Sequence, residues 1–254
     1  MPFGEMTIIL DDVASILGIP VMGQTVCYNE RMAYEEAQAL LVDALGVKLA
    51  EAHEELMQVW GQSVRLEWLS EMCAGVSDDD GDEMTDCAVR AYLLYLLRCT
   101  LFTDKSGTRV PIIFLTQLVD LKAVRSYAWG IAALAYLYRK LGLAARHEVK
   151  QIAGYLTLLE AWVYEHFECL APTPNINYQS DQPRVTSDPY RDVRQYHPFN
   201  EVAYYCGCIK CMDVVEPYHS DMVLRQFGRV QTIPSLPLAP IRTTRGPTAR
   251  DYHI

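Results

Sequence analysis

Lysine is scarce in this chain, six residues in 254. None of them (Lys48, Lys105, Lys122, Lys140, Lys150, Lys210) stands in a setting that marks a Schiff-base residue, so nothing supports pyridoxal chemistry. Basic residues of either kind are nearly missing from the first third. Met1 to Val89 holds 18 Asp and Glu against 3 Lys and Arg, a net of −15, which repels phosphate backbones and favours basic partners. From Arg90 onward 14 acids face 19 bases, a net of +5, and a local nucleic-acid patch stays open there. A long apolar run is also lacking: the central one, cut by Arg98, is about a dozen residues, short of the roughly 20 that span a bilayer. Met1 to Leu10 has neither the basic start nor the apolar run of a secretory signal. The eight cysteines are scattered in a chain large enough not to need staples, and read as reduced thiols of a nucleus or cytosol.

Catalytic signatures are missing too. There is no Gly-x-Ser-x-Gly elbow and no phosphate loop. His53-Glu54-Glu55 and His147-Glu148 begin like a zinc-protease helix, but neither has the second His that would bring two imidazoles onto one face. Asp78, Asp80 and Asp82 mimic the first ligands of a calcium loop, yet the closing position is Val89 where a Glu is required, so a solvated acidic loop is expected. Glu165 and His166 are neighbours on a helical pattern and project about 100° apart, which favours packing over a shared site. The expectation is that the chain is not an enzyme, with no catalytic and no cofactor-binding residue. Cys206, Cys208 and Cys211 with His219 have the chemistry of a zinc site. On a strand, however, Cys211 would face away from the other two, and whether zinc binds stays open.

What is present is helical periodicity. Ala91 to Leu97, running on to Phe102, is apolar on every side, and a helix of that kind is expected to be buried all round. Asp104 to Thr108 is the turn that ends it, and Trp129 to Tyr138 mixes Gly and Ala among large residues, which permits close approach of another element. Asp11 reads as the N-cap of a short helix that Gly18 stops. Thr7 to Ile9 and Val21 to Val26 read as short strands around it. Further helices are expected over Tyr34–Leu45, Leu49–Trp60, Val64–Met72 and Gln151–Phe167, with Trp60 in the core. The last of these should pack the face Ile152, Tyr155, Leu156, Leu159, Trp162, Val163 and His166. Ten of the thirteen prolines lie from Pro172 onward, making Ala171–Pro189 a loose connector. Val202 to Val215 is strand- or hairpin-prone, and His219 to Phe227 returns to helical spacing. The fold expected is mainly α: a single helical domain over residues 1–234 with a few short strands, and an irregular Pro- and Arg-containing tail over 235–254.

Several of these segments together resemble one family. Thr7-Ile8-Ile9-Leu10-Asp11-Asp12-Val13-Ala14 through Leu17-Gly18-Ile19-Pro20-Val21 is similar to the opening of the plant mobile domain. So are Arg90–Leu97 with Leu101-Phe102 and Asp104–Gly107, Ser126–Gly130 with Leu134–Tyr138, Leu156–Leu159 through Trp162 to His166-Phe167, and Asp213–Glu216 with Leu224–Gly228. The family is that of the maintenance-of-meristems proteins, also called aminotransferase-like plant mobile domain proteins. The resemblance implies a non-catalytic nuclear module acting in transposable-element silencing, control of gene expression and meristem maintenance, together with a phosphatase-seven-like protein. It carries over no catalytic residue, the aminotransferase label having no motif here to support it. The chain departs from the family pattern at Tyr196-His197-Pro198-Phe199 and after Pro240. The alternative is a nucleic-acid-binding or transposon-derived protein using its basic later half, with Arg225, Arg229, Arg242, Arg245 and Arg250 on phosphates. The candidate partner contacts are Asp104, Lys105, Arg109, Arg225, Gln226, Phe227 and Arg229, of which Arg225 and Phe227 read equally well as structural.

Overall fold

Residues 5–28, 32–58, 61–74, 81–105, 107–145, 151–170, 186, 188–199 and 201–234 are described by the structure, a computed structural model. Trp60, the acidic loop at 75–80, His147-Glu148, most of the connector and the tail from residue 235, with Arg242, Arg245 and Arg250, lie outside them. Helices dominate: α1 (Leu10–Leu17), α2 (Tyr34–Leu45), α3 (Leu49–Met57), α4 (Leu66–Cys73), α5 (Asp82–Cys99), α6 (Trp129–Ala144) and α7 (Leu156–His166). The strands form two antiparallel pairs, β1 (Ser63–Arg65) with β2 (Arg109–Pro111), and β3 (Cys206–Cys211) with β4 (Val214–His219). The fold is mainly α with small sheets, as the periodicities imply. The chain divides into two units, one of Met1–Thr25, Ala128–Arg139 and Tyr155–Ile254, the other of Val26–Tyr127 and Lys140–Gly154.

In the first unit, α1 packs beside α7, and the hairpin β3–β4 is followed by a kinked 3-10 helix, Ser220–Phe227. Gly18 stops α1 with φ +62°, its N–H returned to the Ala14 carbonyl at 3.0 Å. The capping carboxylate is Asp12, one residue later than expected: it stands third in the helix and accepts the Ile9 N–H at 2.8 Å. Thr7–Ile9 and Val21–Val26 form no strand; Thr7 is held instead by Gln226, whose amide accepts the Thr7 N–H at 3.0 Å and donates to its carbonyl at 2.9 Å. The small residues of α6 do what their size suggests. A Cβ at Gly130 would lie 2.8 Å from Val21 Cγ1 and 3.1 Å from the Pro20 carbonyl, so only glycine admits that approach. Tyr218 is fully buried; its hydroxyl accepts the Leu10 N–H and donates to the Ala203 carbonyl, each at 3.1 Å, tying the hairpin to α1.

The buried face of α7 is Leu158, Trp162 and His166, while Ile152 and Leu156 are exposed. The expected face is therefore rotated. Apolar residues flank both sides of the stripe, so period alone could not orient it.

In the second unit, α2 and α3 pair through a stop at Gly46, and α4 packs against α5. Phe102 stacks on Phe114 with ring centroids 4.7 Å apart. The helix expected to be buried all round is not: α5 buries Ala91, Leu94, Leu97 and Arg98 but exposes Val89, Tyr92 and Cys99. An all-apolar run carries no directional information; the neighbours choose the face.

Candidate functional site

The densest polar constellation of the first unit gathers around the start of α1 and the end of α7. Asp12 Oδ1 lies 3.1 Å from His166 Nε2, and the two side chains are 2% and 1% exposed. His166 Nδ1 lies 2.7 Å from the Thr186 carbonyl, an acceptor only, so Nδ1 donates there. Nε2 is then turned to the Asp12 carboxyl. The pair thereby ties Thr186 to α1 and α7. Beside it Asp11 and Asp188 hold one guanidinium, with Arg194 Nη1 2.8 Å from Asp11 and Nη2 2.7 Å from Asp188. The same guanidinium lies 3.6 Å over the Phe199 ring. Burial pushes the Asp11 carboxyl up from the usual carboxylate value, with Arg194 opposing it. Burial, reinforced by Asp12, Glu165 and Asp11, pushes the Tyr190 phenol up as well.

The second unit is built around one carboxylate. Glu55 stands on the buried stripe of α3 with Ala52 and Leu56. Its Oε1 accepts the Arg65 N–H at 2.7 Å and lies 3.2 Å from Arg109 Nη2; its Oε2 takes Arg65 Nε at 2.9 Å. Arg65 and Arg109 are direct partners in the β1–β2 register, so the strand pair delivers both guanidinium groups to one side. Arg109 also donates to the Ser63 hydroxyl at 3.1 Å and the Ser63 carbonyl at 2.6 Å. A shallow open cleft of about 310 Å³ lies elsewhere in this unit, between Cys27, Tyr28, Met32, Glu36 and the 3-10 turn carrying Ile113, Thr116 and Gln117.

The candidate partner contacts separate into two kinds. Asp104 and Lys105 are exposed, with the Asp104 carboxylate 3.2 Å from Lys140 Nζ and accepting the Lys105 N–H at 2.7 Å. Arg225 and Arg229 are exposed, Arg229 lying 4.3 Å over the Tyr204 ring. Arg109, however, faces inward to Glu55, Gln226 is buried on Thr7, and Phe227 is buried 4.7 Å from Tyr204 and 5.5 Å from Phe199. These three hold the fold. The cysteine hairpin does not converge. Cys206 Sγ sits 3.2 Å from the Ser220 hydroxyl, Cys211 is buried, and no group of three or more His, Cys, Asp or Glu among the described residues is arranged to hold a metal ion.

His166–Asp12 and Glu55–Arg109 escaped the sequence because their members are 154 and 54 positions apart. Glu55 alone left a trace, an acid on the apolar stripe of its helix.

The comparison with family models decides what these units belong to. The model of the plant mobile domain matches residues 1–203. This chain is a member of the plant mobile domain family. MAIN-LIKE 1 of Arabidopsis thaliana is 32% identical over 92% of the chain and 51% of its own length. MAINTENANCE OF MERISTEMS from the same plant is 34% identical over 67% of the chain and 34% of its own length. A serine/threonine-protein phosphatase 7 long form homolog, also from Arabidopsis thaliana, is 29% identical over 92% of the chain, but over only 20% of its own length. The chain thus spans about half the length of the first relative and less of the others. No solved structure matches it. The plant mobile domain match takes in both charge clusters and α5; the cysteine hairpin lies beyond the matched residues. Among the described residues no helix is long and apolar enough to cross a membrane.

Proposed function

We propose that this chain is a non-catalytic protein-interaction module that works in the nucleus, in transposable-element silencing, control of gene expression and meristem maintenance, alongside a phosphatase-seven-like protein. The observation that carries the reading is that a segment like this one makes up a fifth of a chain named as a serine/threonine-protein phosphatase 7 homolog. Covalent linkage holds two domains at an effective concentration in the millimolar range, so a module that recurs within a chain of that name is suited to association with the rest of such a chain. The charge clusters support the same reading: their carboxylates and guanidinium groups pair with one another or hold backbone, which leaves the exposed faces to contact partners.

The test is affinity capture of the tagged chain from plant nuclei, repeated with purified components. A phosphatase-seven-like protein retained at high salt, and bound directly at micromolar concentration, is the expected outcome. Absence of direct binding refutes the partner. Recovery of nucleic acid alone, lost steeply as salt rises, would favour phosphate contact through Arg225 and Arg229 instead.

A further inference from the structure

We propose that the outward face of α5 is a docking surface for a basic amphipathic helix. This surface rests on the reading of the chain as an interaction module and names where that module is engaged. At 100° per residue Val89, Tyr92, Leu96 and Cys99 fall within about 80° of one another, a single stripe about 15 Å long. Val89 and Tyr92 are 38% and 52% exposed, Cys99 is exposed and Leu96 half-buried. The opposite side, Ala91, Leu94 and Leu97, is the one packed inside. A tyrosine half out of the protein between a valine and a leucine has the composition of an interface centre, where aromatic residues are enriched.

Charge selects the occupant. From Leu66 to Val89 the chain carries eight Asp and Glu and not one Lys, Arg or His. Those within the described residues, Glu67 and Glu71 on α4 and Asp82, Glu83 and Asp86 on α5, are all exposed. Of these only Asp86 is answered, by Arg90 Nη2 at 3.7 Å, and the two arginines of α5 are otherwise turned inward. Arg90 donates to the Val119 carbonyl at 3.0 Å and the Ala44 carbonyl at 3.2 Å, and Arg98 donates to the Phe102 carbonyl at 2.8 Å. An apolar stripe rimmed by acids with no outward base calls for a partner helix with apolar residues at i, i+3 or i+4 and i+7 and Lys or Arg on its flanks. A second copy of this chain would set acids against acids with no base on the face to answer them.

The test uses the full chain and fluorescent 18-residue helical probe peptides that share one Leu face but carry either Lys and Arg or Glu flanks. The basic probe is expected to bind at micromolar concentration, more tightly at low salt, and the Glu-flanked probe not to bind. Tyr92→Asp puts a charge at the centre of the stripe and should weaken the basic probe at least tenfold, typical of a central aromatic contact. Glu83→Lys with Asp86→Lys should remove most of the salt dependence, and Tyr196→Asp, on another exposed tyrosine, should change nothing. Circular dichroism and unfolding midpoints confirm that each variant folds. Equal binding of both probes, an unchanged Tyr92→Asp, or self-association through this face overturns the proposal. Capture of a phosphatase-seven-like protein that survives Tyr92→Asp would leave the module reading intact and sink this surface alone.

Discussion

Removing the Glu55 carboxylate tests most directly whether the charge clusters are structural. Glu55→Ala leaves Arg109, whose side chain is 19% exposed, facing Ser63 with no counter-ion, and frees the Arg65 N–H that Glu55 held at 2.7 Å. Breaking a buried pair by deleting one partner costs about 3–5 kcal/mol. The Arg65 limb must be discounted because that side chain is 38% exposed and water can replace the carboxylate there. The low end, about 3 kcal/mol, is therefore expected. Glu55→Gln keeps an oxygen for the Arg65 N–H but loses the charge and turns an NH2 donor toward the Arg65 guanidinium, for about 1.5–3 kcal/mol, the strength of a charge-assisted hydrogen bond. The assay is urea unfolding followed by fluorescence and circular dichroism. With a slope of about 1–3 kcal/mol/M the Ala variant should move the midpoint by roughly 1 M or more. Glu54→Ala, one residue away and exposed, should stay within about 0.5 kcal/mol. A double-mutant cycle with Arg109→Met should show the two losses to be less than additive, because the second change removes the charge the first left stranded. A Glu55→Ala cost below about 1 kcal/mol, or strict additivity, would refute the assignment.

Three further measurements follow from the geometry. Gly130→Ala drives a Cβ to 2.8 Å from Val21 Cγ1 and should destabilise by about 1–3 kcal/mol, the usual cost of overpacking; an unchanged midpoint would mean the approach of Pro20 and Val21 to α6 is looser than described. Burial opposes ionisation of Asp104, but the Lys105 N–H, Lys140 and Arg98 outweigh it and hold the carboxyl below its usual 3.8. Its contribution is therefore fully present above pH 3.8 and lost as pH falls through the lower folded value, so Asp104→Asn should flatten that part of a stability–pH profile, modestly because the side chain is 41% exposed. Burial pushes the Cys211 thiol up, and a disulfide reagent should label exposed Cys99 and Cys206 well before Cys211 in the native protein; simultaneous labelling would contradict the hairpin burial.

Where local chemistry determines structure, the sequence was readable. Gly18 ends α1, the β-prone run around Cys206 forms a hairpin, and the small residues of α6 admit a close neighbour. Where the answer depends on a distant partner, it was not. The all-apolar α5 could not say which side would meet the core, and the apolar residues on both flanks of α7 left its face undetermined. The local pattern points to Asp11 as the cap of α1, but the capping carboxylate is Asp12, which also meets His166 on a helix that begins after residue 155. Nothing in the local sequence of Arg109 reveals Glu55, so its setting points to a surface contact while the fold turns it inward.

The placement of arginine in the second unit has a consequence for encounter with partners. Arg90 serves the carbonyls of Ala44 and Val119, Arg98 that of Phe102, and Arg109 that of Ser63, so each guanidinium satisfies backbone acceptors at helix ends, turns or a strand. Around α4 and α5 these inward-facing bases leave the outward field negative, and exposed acids such as Glu67, Glu71, Asp82 and Glu83 project it into solvent. At physiological salt that field reaches about 8 Å, far enough to guide a basic partner toward the acid-rimmed stripe but not to hold it there. Association with such a partner should therefore slow as ionic strength rises, while dissociation, governed by the apolar contact at Tyr92, changes little. An association rate indifferent to salt would mean that the acids serve solubility alone.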